Sequence, residues 1–272
     1  MSSLIIRSEG FTPPGPADFD LPPIGGSFGS YDVLGQTQLL QVTKPMLQLV
    51  LAAVLVFGFF YLASRKRAMV PGRLQYVGEE AYGFVRNSLG RDIIGSHDFA
   101  RFVPYLFALF FFILVNNVFA TIPFIQFPTF SRSGMVYGLA AMSWIIYNVV
   151  GIKKHGFVGY FKLQSVPAGV SGPILVLLVP LEFLSNILVR PVTLALRLFA
   201  NMFAGHLLLI LFALGGEYLV FELSGLYTPV GILAWVLFIA VAFLELLIQF
   251  LQAYVFVLLN AMYIQGALAD EH

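Results

Sequence analysis

The sequence predicts an all-α integral membrane protein with five membrane helices and one interfacial amphipathic helix, the last two membrane helices being long and strongly tilted. Of its 272 residues, 59% are apolar and 11% are charged, whereas soluble domains are about 45–50% apolar and about 25% charged. The apolar residues also fall in runs long enough to cross a bilayer as helices. These observations exclude a water-soluble fold, and a net charge of +1 gives no indication of a nucleic-acid partner.

Residues 1–44 differ in composition from the rest of the chain. They are rich in Pro, Gly, Ser and Asp, a composition that makes turns and irregular coil and does not build a packed core. We therefore predict an exposed N-terminal tail. It lacks the basic start and apolar stretch of a signal peptide, which favours a bacterial plasma membrane over import into an organelle. Residues 45–272 are predicted to form a single membrane domain.

The first crossing is predicted at residues 45–63, which carry no charge. A helix of this length, at about 1.5 Å per residue, nearly spans a hydrocarbon core of about 30 Å. Residues 72–98 carry too many charges to span, including Glu79 and Arg86, but their apolar residues recur at steps of three and four. This spacing predicts an amphipathic helix lying flat in the membrane interface, although a loop helix packed on the protein fits the spacing equally well.

Four more crossings follow the interfacial segment. We predict them at about residues 102–122, 134–152, 173–215 and 229–268. The first two form a hairpin around a Pro-containing loop. Each of the last two would be about 60 Å long as a single helix, about twice the bilayer core, so it must tilt steeply, bend or break.

The distribution of basic residues predicts the orientation of this multi-pass chain. Most Lys and Arg residues lie in the loops at 64–101 and 151–172, which the positive-inside rule places in the cytoplasm. Five crossings then put the N-terminus outside and the C-terminus in the cytoplasm.

The fourth span carries Arg190 and Arg197, although a charge at mid-bilayer costs at least about 2.5 kcal/mol. Polar side chains at steps of three and four form one stripe on this helix: Asn186, Arg190, Thr193, Arg197 and Asn201. Arg197 is too deep to reach the interface and is expected to be functional. For Arg190 we favour an interfacial position of its long side chain, and for Glu182 an ion pair with Arg190 over a role in a proton path. His206 lies about 180° around the helix from Arg197.

A second polar stripe is predicted in the last span. Glu245, Gln249 and Gln252 share one face of the helix, and Tyr263 returns to it. If the two long helices are antiparallel neighbours, His206 and Glu245 meet across their interface. Gln249 and Tyr263 are as well suited to hydrogen bonds between helices as to a proton path.

The two stripes combine titratable groups with a fixed charge. Glu and His side chains in an apolar setting can pass protons near neutral pH, whereas arginine stays protonated. Titratable groups beside a permanent cation are what directed proton transfer needs. The chain has no cysteine, no enzyme motif with known mechanics and no ligand set for a metal. No catalytic residue, metal site or cofactor is therefore predicted.

The segment RPVTLALRLFANMFAGH, residues 190–206, resembles the signature of the a subunit of F-type ATP synthases, in which Arg followed by Leu-Phe, a small residue, Asn and Met lies on a long tilted helix. Further similarity lies in LELLIQFLQAYVF at 244–256, NVFATIP at 117–123, GIKKHGF at 151–157 and the ending ADEH. The similarity covers most of the chain beyond residue 102. His206 lies at a position where many members of the family have Glu, and Glu245 lies at a position where some members have His. This exchange keeps one Glu and one His in the same proton path. The spacing from Glu182 to Arg190 is one residue longer than in many members.

The resemblance implies a non-catalytic stator whose two long helices lie along a rotating ring of c subunits. Arg197 matches the family's essential arginine, which faces the ring carboxylate and separates two half-channels. The residues implied for the proton path are His206, Asn201, Glu245 and Gln252, with Gln249, Glu182, Arg190 and Tyr263 as further candidates. Rotation would drive ATP synthesis in a separate catalytic head. The other implied partners are b-type peripheral stalk subunits and the lipid bilayer.

Two other classes of protein compete with this interpretation. A self-contained ion- or proton-coupled transporter would use the polar stripes to line a substrate cavity, but the sequence has no internal repeat of the kind common in such proteins. A membrane-embedded enzyme would use Glu245 and His206 as acid and base, but it would lack a nucleophile or metal set. A stator should purify with a c-ring and a peripheral stalk, and a transporter should purify alone.

Overall fold

The structure is a computed structural model, and it describes residues 11–19, 24, 27–33, 36–65, 68–122, 125, 127–165, 174–223 and 225–269. Within these ranges the regular structure is helical apart from one short hairpin, and five helices are long and apolar enough to cross a membrane. They are Lys44–Arg65, Phe99–Val118, Ser133–His155, Val176–Glu222 and Gly225–Leu268. The predicted all-α membrane fold with five crossings is therefore confirmed.

The elements follow one another in chain order. The hairpin consists of β1, Ser27–Val33, and β2, Gln36–Gln41. The α-helices are α1 Lys44–Arg65, α2 Arg73–Phe84, α3 Asp92–Ile94, α4 Phe99–Val118, α5 Ser133–His155, α6 Phe157–Ser165, α7 Leu175–Leu184, α8 Arg190–Glu217 and α9 Thr228–Leu268. Segments of π-helix lie at Val85–Arg91, Ser185–Val189 and Tyr218–Glu222, and 3-10 turns at Pro16–Phe19, Thr129–Ser131 and Gly225–Tyr227.

The chain divides into two compact units. The large unit contains residues 44–202 and 249–272, and the small unit contains residues 1–43 and 203–248. The core of the large unit is built by α4, the π-helical segment that precedes it, and parts of α8 and α9. Its fully buried side chains include Leu89, Leu106, Ile113, Leu198 and Phe256. Each such side chain stabilises the fold by about 1.5–3 kcal/mol, so this packing fixes the face of α8 that carries Arg197.

The segment predicted to be interfacial forms α2, a π-helical segment and α3. Gly78 of α2 lies so close to α1 that an added Cβ would be 2.9 Å from the Cβ of Ala63. Leu89 is fully buried, whereas Leu74 and Val77, at the other end of the same apolar face, are 44% and 52% exposed. The segment is therefore packed on the protein along part of its length, and its exposed apolar end suits a membrane interface.

The N-terminal tail is more regular than its composition predicted. β1 and β2 pair antiparallel, with Tyr31 opposite Gln38. The prediction of irregular coil is wrong for these strands. The physical reason is that the prolines of the tail end at Pro23, so every later residue of the tail has a backbone N–H to donate to a ladder. The prediction of an exposed tail is also wrong for Phe19, which is buried.

The fourth span is unbroken from Val176 to Glu222, although it contains segments of π-helix. A π-turn holds one more residue than an α-turn. The segment Ser185–Val189 therefore accommodates an extra residue between Glu182 and Arg190 without breaking the helix. The predicted tilt of the two long spans against the membrane stays a prediction.

One glycine allows the chain to turn between α5 and α6. Gly156 ends α5 with a φ of +73°, a conformation that favours glycine, and its N–H donates to the carbonyl of Ile152 at 2.9 Å. α6 then packs back on α5, and Tyr160 is fully buried against Gly151. A Cβ at position 151 would overlap the Tyr160 ring. This close approach brings the end of α6 to the segment that precedes α8.

Candidate functional site

Arg197 lies on the surface of the large unit. Its side chain is exposed, while Leu194 and Leu198 on either side of it are buried. Its guanidinium makes no hydrogen bond or ion pair with any residue that the structure describes. A guanidinium on a membrane helix is costly without a counter-charge, and for Arg197 the role of a functional cation stays a prediction.

The predicted polar stripe on the fourth span is present only in part. Thr193, Arg197 and Asn201 are exposed along α8. Asn186 is buried, and its Nδ2 donates to the carbonyl of Gln164 at 2.6 Å. The prediction that Asn186 shares the stripe is wrong, because the π-turn shifts the helix phase by about one residue, roughly 100°.

Asn201 and Gln252, both predicted for the proton path, are joined by a hydrogen bond between α8 and α9. Nδ2 of Asn201 donates to Oε1 of Gln252 at 2.7 Å. Asn201 is exposed and Gln252 is buried, so the bond leads from the surface of the large unit into its interior. Nε2 of Gln252 is buried and has no hydrogen-bond partner among the described atoms, which is unusual in folded proteins.

Gln249 ties α9 to the end of α4. The Oγ1 of Thr121 donates to Oε1 of Gln249 at 2.9 Å, and Nδ2 of Asn117 donates to its backbone carbonyl at 3.1 Å. Gln249 is fully buried. Of the two roles considered for Gln249, these contacts correspond to hydrogen bonds between helices.

Arg190 lies against tyrosine and not against Glu182. Its guanidinium is 5.3 Å from the ring centroid of Tyr263, which is 5.5 Å from that of Tyr147. The predicted ion pair of Glu182 with Arg190 is wrong. The described residues contain no such pair, and the two side chains start about 12 Å apart along the helix axis. Glu182 instead accepts a hydrogen bond from Nδ2 of Asn186 at 3.4 Å.

A buried polar network supports the start of α8. The hydroxyl of Tyr160 donates to Oδ1 of Asn148 at 3.1 Å and accepts from Nε2 of Gln164 at 3.2 Å. Burial raises the pKa of Tyr160, while the hydrogen bond from Gln164 and the charge of Arg190 act in the opposite direction. The hydroxyl therefore stays protonated near neutral pH, as its role as a donor requires.

In the small unit, Glu245 of α9 lies against Gly205 of α8. Glu245 is 3% exposed, and a Cβ built on Gly205 would be 3.4 Å from both its carboxyl carbon and its Oε1. Gly205 immediately precedes His206. The structure therefore brings Glu245 to the part of α8 where its pairing with His206 is expected, and a direct contact of the two side chains stays a prediction.

His206 is half-buried in the small unit. Its Nδ1 is buried and has no hydrogen-bond partner within the part of the chain that is described. The ring of Phe19 lies beside it, with centroids 5.9 Å apart, and is 4.8 Å from the ring of Phe203. Phe19 is missed by sequence reasoning, because its one signal is an aromatic residue in a segment rich in Pro, Gly and Asp.

The fold and these side chains define a multi-pass helical membrane protein whose last two spans carry an exposed arginine, a buried carboxyl and paired amides. In the described ranges, no three His, Asp or Glu side chains gather closely enough to hold a metal ion.

Comparison with known proteins gives the family. The family model described as ATP synthase A chain matches residues 46–265. ATP synthase subunit a of Nocardioides sp. (strain JS614) is 77% identical over 98% of this chain and 96% of its own length. The subunit a proteins of Pseudarthrobacter chlorophenolicus and Streptomyces lividans are 49% and 41% identical, over 96% and 98% of this chain and 95% and 92% of their own lengths.

The chain therefore belongs to the ATP synthase subunit a family, of the bacterial F-type. This confirms the resemblance found in residues 190–206. The protein is a multi-pass membrane-sector subunit of the ATP synthase complex, associated with ATP synthesis and proton transport.

Proposed function

We propose that this chain is a non-catalytic stator that conducts protons to and from a rotating ring of c subunits, with Arg197 as the barrier between two half-channels. A ring carboxylate that is protonated on one side of Arg197 turns through the lipid and discharges on the other side. The rotation drives ATP synthesis in a separate catalytic head. Each proton contributes about 2.3 kcal/mol per 100 mV of membrane potential, plus the effect of any pH difference.

The exposed guanidinium of Arg197 carries this proposal. Arginine cannot lose its proton to avoid the cost of a charge in lipid. The described residues supply it with no ion-pair partner, and a carboxylate on a partner that passes the exposed face of α8 would compensate its charge. A ring carboxylate meets this requirement because it is charged beside Arg197 and neutral when it turns through lipid.

Two groups of side chains are suited to the half-channels. The hydrogen-bonded pair of Asn201 and Gln252 lies in the large unit, one helical turn from Arg197 on α8. Glu245 and His206 lie in the small unit and supply titratable groups. The buried polar atoms Nε2 of Gln252 and Nδ1 of His206 have no described partner, which suits a path whose hydrogen bonds are exchanged.

Other candidates are assigned by their contacts. Gln249, Arg190 and Tyr263 have packing roles, because each holds a neighbouring helix through a hydrogen bond or a cation–π contact. Glu182 is half-buried and bound to Asn186, and it is a candidate for the path on the cytoplasmic side.

The proposal includes specific partners and an orientation. The partners are the c-ring and the b-type peripheral stalk subunits, with the catalytic head as an indirect partner. The membrane is the bacterial plasma membrane, with the N-terminus outside and the C-terminus in the cytoplasm, as the basic loops indicate.

Inverted membrane vesicles that carry Arg197→Ala test the proposal. ATP-driven proton pumping should be lost while the complex still assembles, because the barrier between the half-channels is gone. Arg190→Gln is the matched control, since it removes the same charge from the same helix at a position covered by Tyr263. It should retain most of the pumping. Unchanged pumping in Arg197→Ala would overturn the proposal, and a subunit that purifies without a c-ring would favour a transporter.

A further inference from the structure

Residues 11–19, here called the N-terminal strap, lie along α8 within the small unit. The ring centroid of Phe11 is 5.6 Å from that of Tyr218, and its Cζ would be 3.9 Å from a Cβ on Gly215. At the other end of the strap, the ring of Phe19 is 4.8 Å from that of Phe203. The strap therefore runs antiparallel to α8 and is anchored by an aromatic ring at each end.

Phe19, the anchor at residue 19 of the strap, packs beside His206. Phe19 is 5% exposed, and its ring meets the imidazole at an interplanar angle of 61° with centroids 5.9 Å apart. The 3-10 turn Pro16–Phe19 fixes this arrangement, because the N–H of Gly15 donates to Oδ2 of Asp18 at 2.7 Å and the N–H of Asp18 to the carbonyl of Gly15 at 3.1 Å. Asp18 stays exposed while Phe19 points inward.

The described contacts of the strap with the fourth span are those of its two aromatic rings. Its composition, rich in Pro, Gly and Asp, does not build a core of its own. The packing of Phe19, which is buried, and of Phe11, which is half-buried, is therefore the main gain available to it. A segment held in this way can open when its anchors are released. Three groups lie around His206: the strap, Phe203 on the same helix as His206, and Gly205 with the nearby Glu245.

We propose that the N-terminal strap is a lid on the outer proton path, and that Phe19 is the residue that limits access of water to His206. The inference rests on the proposed function, which makes His206 part of that path. A phenyl ring neither donates nor accepts a proton. On the side of the half-buried imidazole that Phe19 covers, a proton therefore arrives by way of water that enters when Phe19 moves, and opening of the strap controls how often that side is hydrated.

Thiol labelling tests the lid directly. The chain has no cysteine, so His206→Cys introduces the one thiol of this subunit. The assembled complex, in vesicles with the outer membrane face exposed, is treated with a small charged methanethiosulfonate reagent. Adding Phe19→Ala should speed labelling about tenfold, because loss of one buried phenyl ring favours the open strap by at least that factor.

Two further variants control this measurement. Phe19→Leu keeps an apolar side chain in the same place and should restore slow labelling. Phe57→Ala removes a phenylalanine of α1 that is 73% exposed, and it should leave the labelling rate unchanged. Equal labelling rates for the thiol with Phe19 intact, with Phe19→Leu and with Phe19→Ala would overturn the lid.

Proton flux then tests whether the lid lies on the path. With His206 intact, Phe19→Ala should raise passive proton flux through vesicles stripped of the catalytic head. Faster labelling with unchanged flux would overturn the assignment of Phe19 to the path. The pumping assay on Arg197→Ala does not involve the strap, so failure of the lid and failure of the proposed function are distinguishable.

Discussion

The indole Nε1 of Trp144 donates a hydrogen bond of 2.9 Å to the backbone carbonyl of Ile187, which lies in the π-helical segment Ser185–Val189. A π-turn displaces the regular helical hydrogen bonds and leaves backbone groups in need of other partners. Trp144 of α5 supplies one such partner. Asn186, in the same π-helical segment, donates a hydrogen bond to the backbone carbonyl of Gln164 near the end of α6. The irregular turn before Arg190 is therefore anchored by two neighbouring helices.

Trp144→Phe should destabilise the subunit by about 1–3 kcal/mol, because it leaves the carbonyl of Ile187 without its donor. Unfolding of the purified complex in denaturant measures the change. Trp235→Phe is the matched control, since the indole N–H of Trp235 is exposed and reaches the carbonyl of Ala213 only at 3.4 Å. That variant should stay within about 0.5 kcal/mol of wild type, and equal losses in the two variants would contradict the anchoring role of Trp144.

Gly151→Ala should cost about 1–3 kcal/mol, because the added Cβ overlaps the buried ring of Tyr160 and forces it to move. Gly138→Ala is the control within the same helix. Nothing lies within 4 Å of a Cβ at position 138, so alanine there should be neutral or stabilise α5 by up to about 1 kcal/mol. Thermal unfolding of both variants distinguishes them, and a Gly151→Ala protein as stable as wild type would refute the close approach of α6.

The spans could be predicted from the sequence because length and apolar composition determine them directly. Arg197 could be predicted as well, because a charge within an apolar run is visible in the sequence. The burial of Asn186 could not. It depends on a π-turn, and a helical pattern of 3.6 residues per turn contains no signal for one inserted residue. The burial of Phe19 could not be predicted either, since it is determined by tertiary contacts far along the chain.

The contact of Arg190 with Tyr263 predicts a graded response at position 263. Tyr263→Phe keeps the aromatic face beneath the guanidinium and should change stability by less than about 0.5 kcal/mol, whereas Tyr263→Leu loses the cation–π contact and should cost about 0.5–2 kcal/mol. Both proteins should pump protons, because the contact serves packing. Denaturant unfolding and vesicle pumping check the two parts, and loss of pumping in Tyr263→Phe would place the hydroxyl in the proton path.

The hydrogen bond between Asn201 and Gln252 should appear as a coupling energy of about 0.5–1.5 kcal/mol in a double-mutant cycle with alanine. Each single variant leaves one amide without its partner, and the double variant removes both, so the losses should not add. Thr193 provides the control pair with Gln252. Its hydroxyl bonds within its own helix, to the carbonyls of Val189 and Arg190.

Thr193→Ala combined with Gln252→Ala should therefore give additive losses. If the Asn201 cycle is additive too, the 2.7 Å bond contributes nothing to folding. The same variants can be assayed for ATP-driven pumping. The double exchange Asn201→Gln with Gln252→Asn keeps one amide side chain on each of the two helices. This variant should pump faster than either alanine variant, because a proton path through amide groups needs an amide on both helices. Which of the two helices carries the longer Gln side chain matters less.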